Sequence, residues 1–207
     1  MLKNNSAYKF YSLISLEDFK SVLGIDDRED KIARFCLVTA TYAIEQYCKR
    51  RLIRKKHFER IEYTGDLFLP LKEYPVCKIL AAFAMKNEKL KKNNGELIDP
   101  EFYHAIPDLG CFEDLPYLIK LSPAFLRYQG LTGIRVTYTA GYSQSNVPPD
   151  LICACLELAS WNMNRYRGRR IGMTGNIRSS GRDGEHFEMS MPENVRLMLE
   201  PYRRKVI

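Results

Sequence analysis

Residues 134–166, reading IRVTYTAGYSQSNVPPDLICACLELASWNMNRY, constrain the fold more than any other stretch of the chain. Residues 134–140 alternate apolar and polar side chains and are rich in β-branched and aromatic types, the pattern of a half-buried strand. Gly141 breaks it. Pro148, Pro149 and Asp150 then start a helix: proline suits the first turn, where its missing N–H costs nothing, and an early acid complements the helix dipole. From Leu151 the apolar residues fall at Leu151, Cys155, Leu158 and Trp161, with Ile152, Ala154, Ala159 and Met163 widening the stripe. So little of this helix can face water that it is expected at the centre of a core, with Trp161 inside. A strand that turns sharply into a buried helix is scaffold, and nothing in it is chemically reactive.

With 207 residues and 45% hydrophobic content the chain can bury a proper core as one domain or two small ones. Its formal net charge of +7 and pI near 9.0 admit a polyanionic partner. The six cysteines form no C-x-x-C pair and the three histidines lie far apart in sequence, so no metal site and no cofactor is expected. No secretory signal is expected before the first helix, and no apolar run approaches a membrane span; reduced thiols in a cytoplasm are the default reading.

In chain order, Ser15 and Asp18 form a capping-box pattern ahead of a short helix, about 16–23, that stops at Gly24. Asp26, Asp27, Glu29 and Asp30 precede a long helix reaching about Lys49. Four clustered acids suggest a metal site or an acid/base pair, but N-capping and dipole compensation explain them more simply. The apolar spacing predicts a buried face at Ile32, Cys36, Thr39, Ala43 and Tyr47, with Phe35 and Val38 beside it. The run Lys49, Arg50, Arg51, Arg54, Lys55, Lys56 and His57 is the first basic cluster, placed where a helix ends and a strand begins. It reads either as helix C-terminal dipole compensation or as a patch facing a polyanion or a subunit.

Short strands broken by turns follow, at about 58–63, 67–69, 78–86, 97–98, 118–121 and 134–139. Asn93, Asn94 and Gly95 mark a hairpin tip, flanked by Lys86, Lys89, Lys91 and Lys92. The acids of this region show no spacing that singles out a catalytic pair. After the central helix comes a Gly- and Arg-rich segment with Arg165, Arg167, Arg169, Arg170, Arg178 and Arg182. It lacks the Gly-Lys-Ser/Thr of a phosphate-cradling loop and fits a basic surface loop. A proline-started helix at about 191–200 closes the chain, ending in Tyr202, Arg203 and Arg204.

The fold class expected from this order is α+β: a helical core of four main helices with an inserted β-rich subdomain. Residues 1–54 supply the N-terminal helices, 55–147 the inserted unit, and 148–207 the central helix, the Arg/Gly-rich loop and the C-terminal helix.

The ordered series LEDFKSVLGID, IEQYCKRRL, VTYTAGY, VPPDLICACLELASWNMNRYR and MPENVRLMLEPYRR resembles the longer form of the head-to-tail connector (adaptor) proteins of tailed bacteriophages and prophages. The resemblance covers most of the chain and rests on the order of several weak motifs, since the family has no catalytic signature. It implies a virion structural protein without enzymatic activity, at the head-to-tail interface of the particle and in the host cytoplasm during assembly, with no membrane contact. It implies a homo-oligomeric ring, typically dodecameric, with the portal protein above and a stopper or tail-completion protein below. Packaged double-stranded DNA passes through such a ring and is contacted without regard to sequence. The arginine-bearing loop then faces either that channel or a neighbouring subunit, and Tyr202, Arg203 and Arg204 are candidates for contact with the portal or a neighbour. The lysine-rich hairpin and the cysteines have no family counterpart.

A ring needs two different faces that fit each other. The acids Asp26, Asp27, Glu29 and Asp30 are the candidate for one face, and Arg50, Arg51, Arg54, Lys55 and Lys56 for the other. The alternative reading is a basic nucleic-acid-binding regulatory protein, against which stands the lack of a helix-turn-helix, zinc finger or RNA-binding aromatic motif. An enzyme using Asp26, Asp30 or His57 lacks any set of nucleophile, base and orienting group in plausible spacing.

Overall fold

The computed structural model describes residues 11–85, 95–106, 118–127, 131–168 and 191–204. It has an α+β fold of four α-helices and two antiparallel sheets. The chain divides into two compact units, one made of Met1–Lys49 with Gln144–Ile207 and the other of Arg50–Ser143.

In the first unit, Ser15 caps α1 (Leu16–Leu23): its hydroxyl accepts the Asp18 N–H at 3.0 Å and donates to the Asp18 carboxylate at 2.6 Å. Gly24, at φ 63°, closes the helix in the left-handed conformation that glycine adopts without strain. A short 3-10 turn at Asp27–Glu29 leads into α2 (Asp30–Cys48), which ends at Lys49 with φ 55°. The Lys49 N–H turns back to the carbonyls of Gln46 and Glu45, supplying the closing hydrogen bonds a glycine cap would make. α3 (Pro149–Arg167) and α4 (Glu193–Leu199) complete the set, α3 packing against both α2 and α4.

The buried face of α2 differs from the one its apolar spacing suggested. Ala33, Cys36, Leu37, Ala40, Thr41, Ile44 and Cys48 lie inside, whereas Phe35 is 59% exposed and Ile32, Val38, Thr39, Ala43 and Tyr47 are only partly covered. The inward stripe of α2, at 33, 36–37, 40–41, 44 and 48, is the expected one moved on by about one residue, the rotation that turns it toward α3. α3 turns Leu151, Ala154, Cys155, Leu158, Ala159 and Met163 inward. Trp161 also departs from expectation: it is partly exposed at the edge of the α3 stripe, with the Arg165 guanidinium 4.6 Å over its ring.

The second unit contains β1 (Lys55–Glu62), β2 (Phe68–Pro70), β3 (Val76–Met85), β4 (Glu96–Leu97), β5 (Tyr103–Ile106), β6 (Leu118–Leu121) and β7 (Gly133–Ala140). One sheet has the order β1-β7-β3-β4 and the other β2-β6-β5, all antiparallel. β5 was not expected from the sequence, where Tyr103, His104, Ala105 and Ile106 carry little β-branched character. The lysines at 86, 89, 91 and 92, the hairpin tip at 93–94 and the acids at 108, 113 and 114 lie outside the described residues.

Because successive side chains of a strand point to opposite faces, β7 splits cleanly. Ile134, Val136, Tyr138 and Ala140 face a core shared with Ala82, Ala84, Ile98, Ile119, Leu121 and Phe125, while Arg135, Thr137 and Thr139 lie on the other face. Within the core the Tyr138 hydroxyl donates to Glu59 at 2.8 Å and accepts the Glu73 N–H at 3.2 Å, and Glu59 also accepts the Lys72 N–H at 3.1 Å. The two ends of this unit lie side by side. Tyr142 N–H donates to the Leu52 carbonyl at 2.7 Å and Arg54 N–H to the Tyr142 carbonyl at 2.8 Å.

Candidate functional site

The four acids ahead of α2 are engaged within their own unit. Asp26 caps the 3-10 turn by accepting the Arg28 N–H at 2.8 Å. Asp27 and Asp30 both receive Lys20, and hydrogen bonding to that ammonium pulls the Asp27 carboxyl below its ordinary value. Glu29 takes the Arg167 guanidinium in a two-pronged contact at 2.9 and 2.5 Å, which lowers its carboxyl likewise. The Asp27 side chain is nevertheless 93% exposed. Among the described residues no group of three or more His, Cys, Asp or Glu side chains is arranged to hold a metal.

The basic run does not form one patch, for two physical reasons. Arg50 is buried: its guanidinium donates to the Tyr74 carbonyl at 2.6 Å and stacks 3.8 Å over the Tyr74 ring, so it drops out of the candidate surface. Lys55 and Lys56 belong to β1, where alternation sends them to opposite faces, Lys55 paired across from Ala140 and Lys56 from Thr139. Arg51 and Arg54 remain at the surface, with the Arg51 N–H on Glu73 at 2.6 Å and the Arg54 Nε on the Gly141 carbonyl at 3.4 Å. His57 lies on the core side of β1, 5.6 Å from the Tyr138 ring, and burial lowers its pKa, followed by the charge of Lys55. Burial likewise pushes the thiols of Cys36 and Cys155 up to about 11 and about 12, which makes both poor nucleophiles.

Of the arginines assigned to the loop, two are helical instead. Arg165 and Arg167 sit in the last turn of α3, the first over Trp161 and the second on Glu29. Arg169, Arg170, Arg178 and Arg182 lie outside the described residues. At the C-terminal end, Arg203 pairs with Glu200 at 2.8 Å and lies 5.3 Å over Tyr47, whose hydroxyl donates to Glu200 at 2.7 Å. The Arg204 N–H donates to the Cys48 carbonyl at 2.8 Å, and Tyr202 ends a 3-10 turn, so the closing segment is tied to the end of α2.

One surface went unnoticed in the sequence. The face of the four-stranded sheet opposite the core carries a row of Arg60, Arg135, Phe83 and Leu97, one from each strand. Beside it stand Phe58 with Thr137 and Ala81, then Lys56 with Thr139 and Lys78. Phe58 is 71% exposed and Leu97 60%. The alternation Lys56, Phe58, Arg60 is its signal in the sequence, overlapped by the basic run that precedes it.

No protein-family model and no curated protein matches the chain. Solved structures do. A chain in the neck of an empty GTA (gene transfer agent) particle, computed with C6 symmetry, aligns with a TM-score of 0.59 and 17% identity, over 94% of this chain and 91% of that one. In fold, this chain is similar to a particle-neck chain. A chain in the neck of a native particle, computed with C12 symmetry, aligns at TM-score 0.54 and 17% identity, over 93% and 89%. Another, in the virion of the native gene transfer agent particle, gives 0.51 and 18%, over 94% and 91%. The likeness runs through both units and spans nearly the full length of the neck chains.

Proposed function

We propose that this chain is a non-enzymatic structural protein of a tailed-phage-like particle, a head-to-tail connector that assembles as a ring beneath the portal. The observation that carries the reading is the fold match to a neck chain over 94% of the residues, which agrees with the family resemblance of the sequence motifs. On this reading packaged DNA crosses the ring, the portal lies above and a stopper or tail-completion protein below. The cations at 169–182 make sequence-independent phosphate contacts, or bind carboxylates of the next subunit. Tyr202, Arg203 and Arg204 lie toward the portal or a neighbour.

The test is to image purified particles carrying an epitope-tagged copy of the chain, labelled with antibody, by negative-stain microscopy. Label confined to the head–tail junction is the expected result. Label on the shell or the tail tip, or particles lacking the chain, would overturn the connector reading. Salt-sensitive binding to duplex DNA by the isolated chain, with no particle association, would favour the regulatory alternative.

A further inference from the structure

The open face of the four-stranded sheet combines two properties seldom found together on a solvated surface. It is apolar at Phe58, Phe83 and Leu97, and it is cationic at Lys56, Arg60 and Arg135. Glu62, in the last row beside Gly133 and Met85, is its one acid among the described residues of these rows. A sheet face bearing phenylalanines and cations suggests a platform for stacked bases. The geometry argues otherwise. Lys56 Nζ already sits 5.1 Å over the Phe58 ring, and the Arg135 guanidinium 4.9 Å over the Phe83 ring. Each ring therefore already holds a cation of its own chain over one face, as cation–π contacts do. What remains for an occupant is exposed ring surface, Leu97 and the cations, which suits apolar side chains accompanied by carboxylates.

The same chain carries such a patch. At the end of α1, Val22 is 64% exposed and Leu23 39%, although the helix spacing places both on a helix whose inward face is filled by Leu16 and Phe19. Gly24 and buried Ile25 then turn the chain into exposed Asp26 and Asp27. Residues 16–31 hold six acids (Glu17, Asp18, Asp26, Asp27, Glu29, Asp30) against three bases (Lys20, Arg28, Lys31), so the corner is net acidic. We infer that the open sheet face, through Lys56, Phe58, Arg60, Arg135 and Leu97, docks the Val22, Leu23, Asp26 and Asp27 corner of a second copy of this chain. The two surfaces differ in kind, so the contact is heterologous, the type from which rings and filaments are built. This inference rests on the proposed ring, and it replaces the buried Arg50 and the split Lys55–Lys56 run with a surface the fold does present. Opposite charges across such a face set register and encounter rate, while the exposed phenylalanine and leucine supply the apolar anchor.

The experiment uses the full-length chain, with self-association followed by sedimentation velocity and multi-angle light scattering across a concentration series. Phe58→Ser with Leu97→Ser, and separately Arg60→Glu with Arg135→Glu, are expected to weaken association about 100-fold or more. Asp26→Lys with Asp27→Lys should weaken it about tenfold, and combining the two charge reversals should recover most of the loss. Circular dichroism melts separate lost docking from lost folding, and Leu80→Ser, at a bulge of β3 with 43% exposure, serves as a matched surface control. Unchanged association of the sheet variants in a wild type that forms rings overturns the inference while leaving the connector reading intact. A wild type that stays monomeric at every concentration also overturns it, and particle labelling then decides the connector reading by itself. Binding of a fluorescent oligo-dT by the wild type, abolished by Phe58→Ser and Arg135→Glu, would reassign the face to single-stranded nucleic acid and sink the protein-docking proposal.

Discussion

Between α2 and α3 most of the buried side chains are small, including Ala33, Cys36, Ala40, Ala154, Cys155 and Ala159, whereas β7 buries Ile134, Val136 and Tyr138 against Ile119, Leu121 and Phe125. The helical unit gains by bringing backbones close. The sheet unit gains by filling the space between two sheets with large side chains. The two units should therefore respond in opposite ways to changes of side-chain volume. Polar chemistry does not follow that divide: each unit leans a carboxylate on a phenol, Glu45 on Tyr11 at 2.6 Å in the helical unit and Glu59 on Tyr138 at 2.8 Å in the sheet unit, and the helical unit adds charge pairs such as Arg167 with Glu29.

The largest effect is expected from Phe125→Ala, which empties a fully buried position packed edge-on against Tyr63 at 5.7 Å. It should destabilise the sheet unit by about 3–5 kcal/mol. Amide hydrogen exchange in β7 reads the loss, and the fluorescence of the single tryptophan, Trp161 on α3, reads the helical unit. If exchange in β7 and the Trp161 transition shift together by the same amount, the units are one cooperative body and the contrast collapses. Next comes Ala40→Leu, which adds volume at a fully buried position of α2 and should cost about 1–3 kcal/mol through overpacking. A neutral result there would mean that the helix seam has slack. Tyr138→Phe is expected to cost about 1 kcal/mol, because it removes one hydrogen bond to Glu59 and leaves the Glu73 N–H without its phenol oxygen. Equal protection of β7 amides in variant and wild type would show that the buried polar network adds shape but no stability.

The smallest effect belongs to Glu29→Gln. Arg167 holds the Glu29 carboxyl below its ordinary value of 4.5, so the pair favours the folded chain above that pH and the benefit disappears as pH falls through the lowered value. The variant should match wild type at strongly acid pH and fall slightly behind near neutrality in urea melts. A difference that grows on acidification would invert the sign and refute the pairing. Exposure and salt screening keep the effect small.

The helical boundaries were legible because they are written locally. Ser15 and Gly24 bracket α1, and Pro148 and Pro149 announce α3, each through backbone groups within a few residues. Most strands were visible too, since alternation is also local. What could not be read was non-local. The choice of buried face on α2 depended on where α3 packs against it, which no property of Phe35 or Ile32 reveals. Pairing order β1-β7-β3-β4 joins Lys56 to Thr139 and Lys78 across long intervals of chain, so the row of Arg60, Arg135, Phe83 and Leu97 exists only once the register is known. Arg50 misled for the same reason: its partner, the Tyr74 carbonyl, lies 24 residues away.

Gly141 has φ 102°, and a Cβ there would come within 2.8 Å of Ile53 C and Arg54 N and 2.7 Å of Leu52 O. No other residue lets the outgoing chain run this close to the incoming one, where Ile53 and Tyr142 form a parallel bridge. Tension applied along the polypeptide from α2 toward α3 consequently meets this clasp first, at two backbone hydrogen bonds, before any of it reaches the sheet. The strands hang beyond the clasp as a closed loop, mechanically bypassed. Pulling on the helices would leave the sheet surface undistorted, and replacing Gly141 would expose it to the strain.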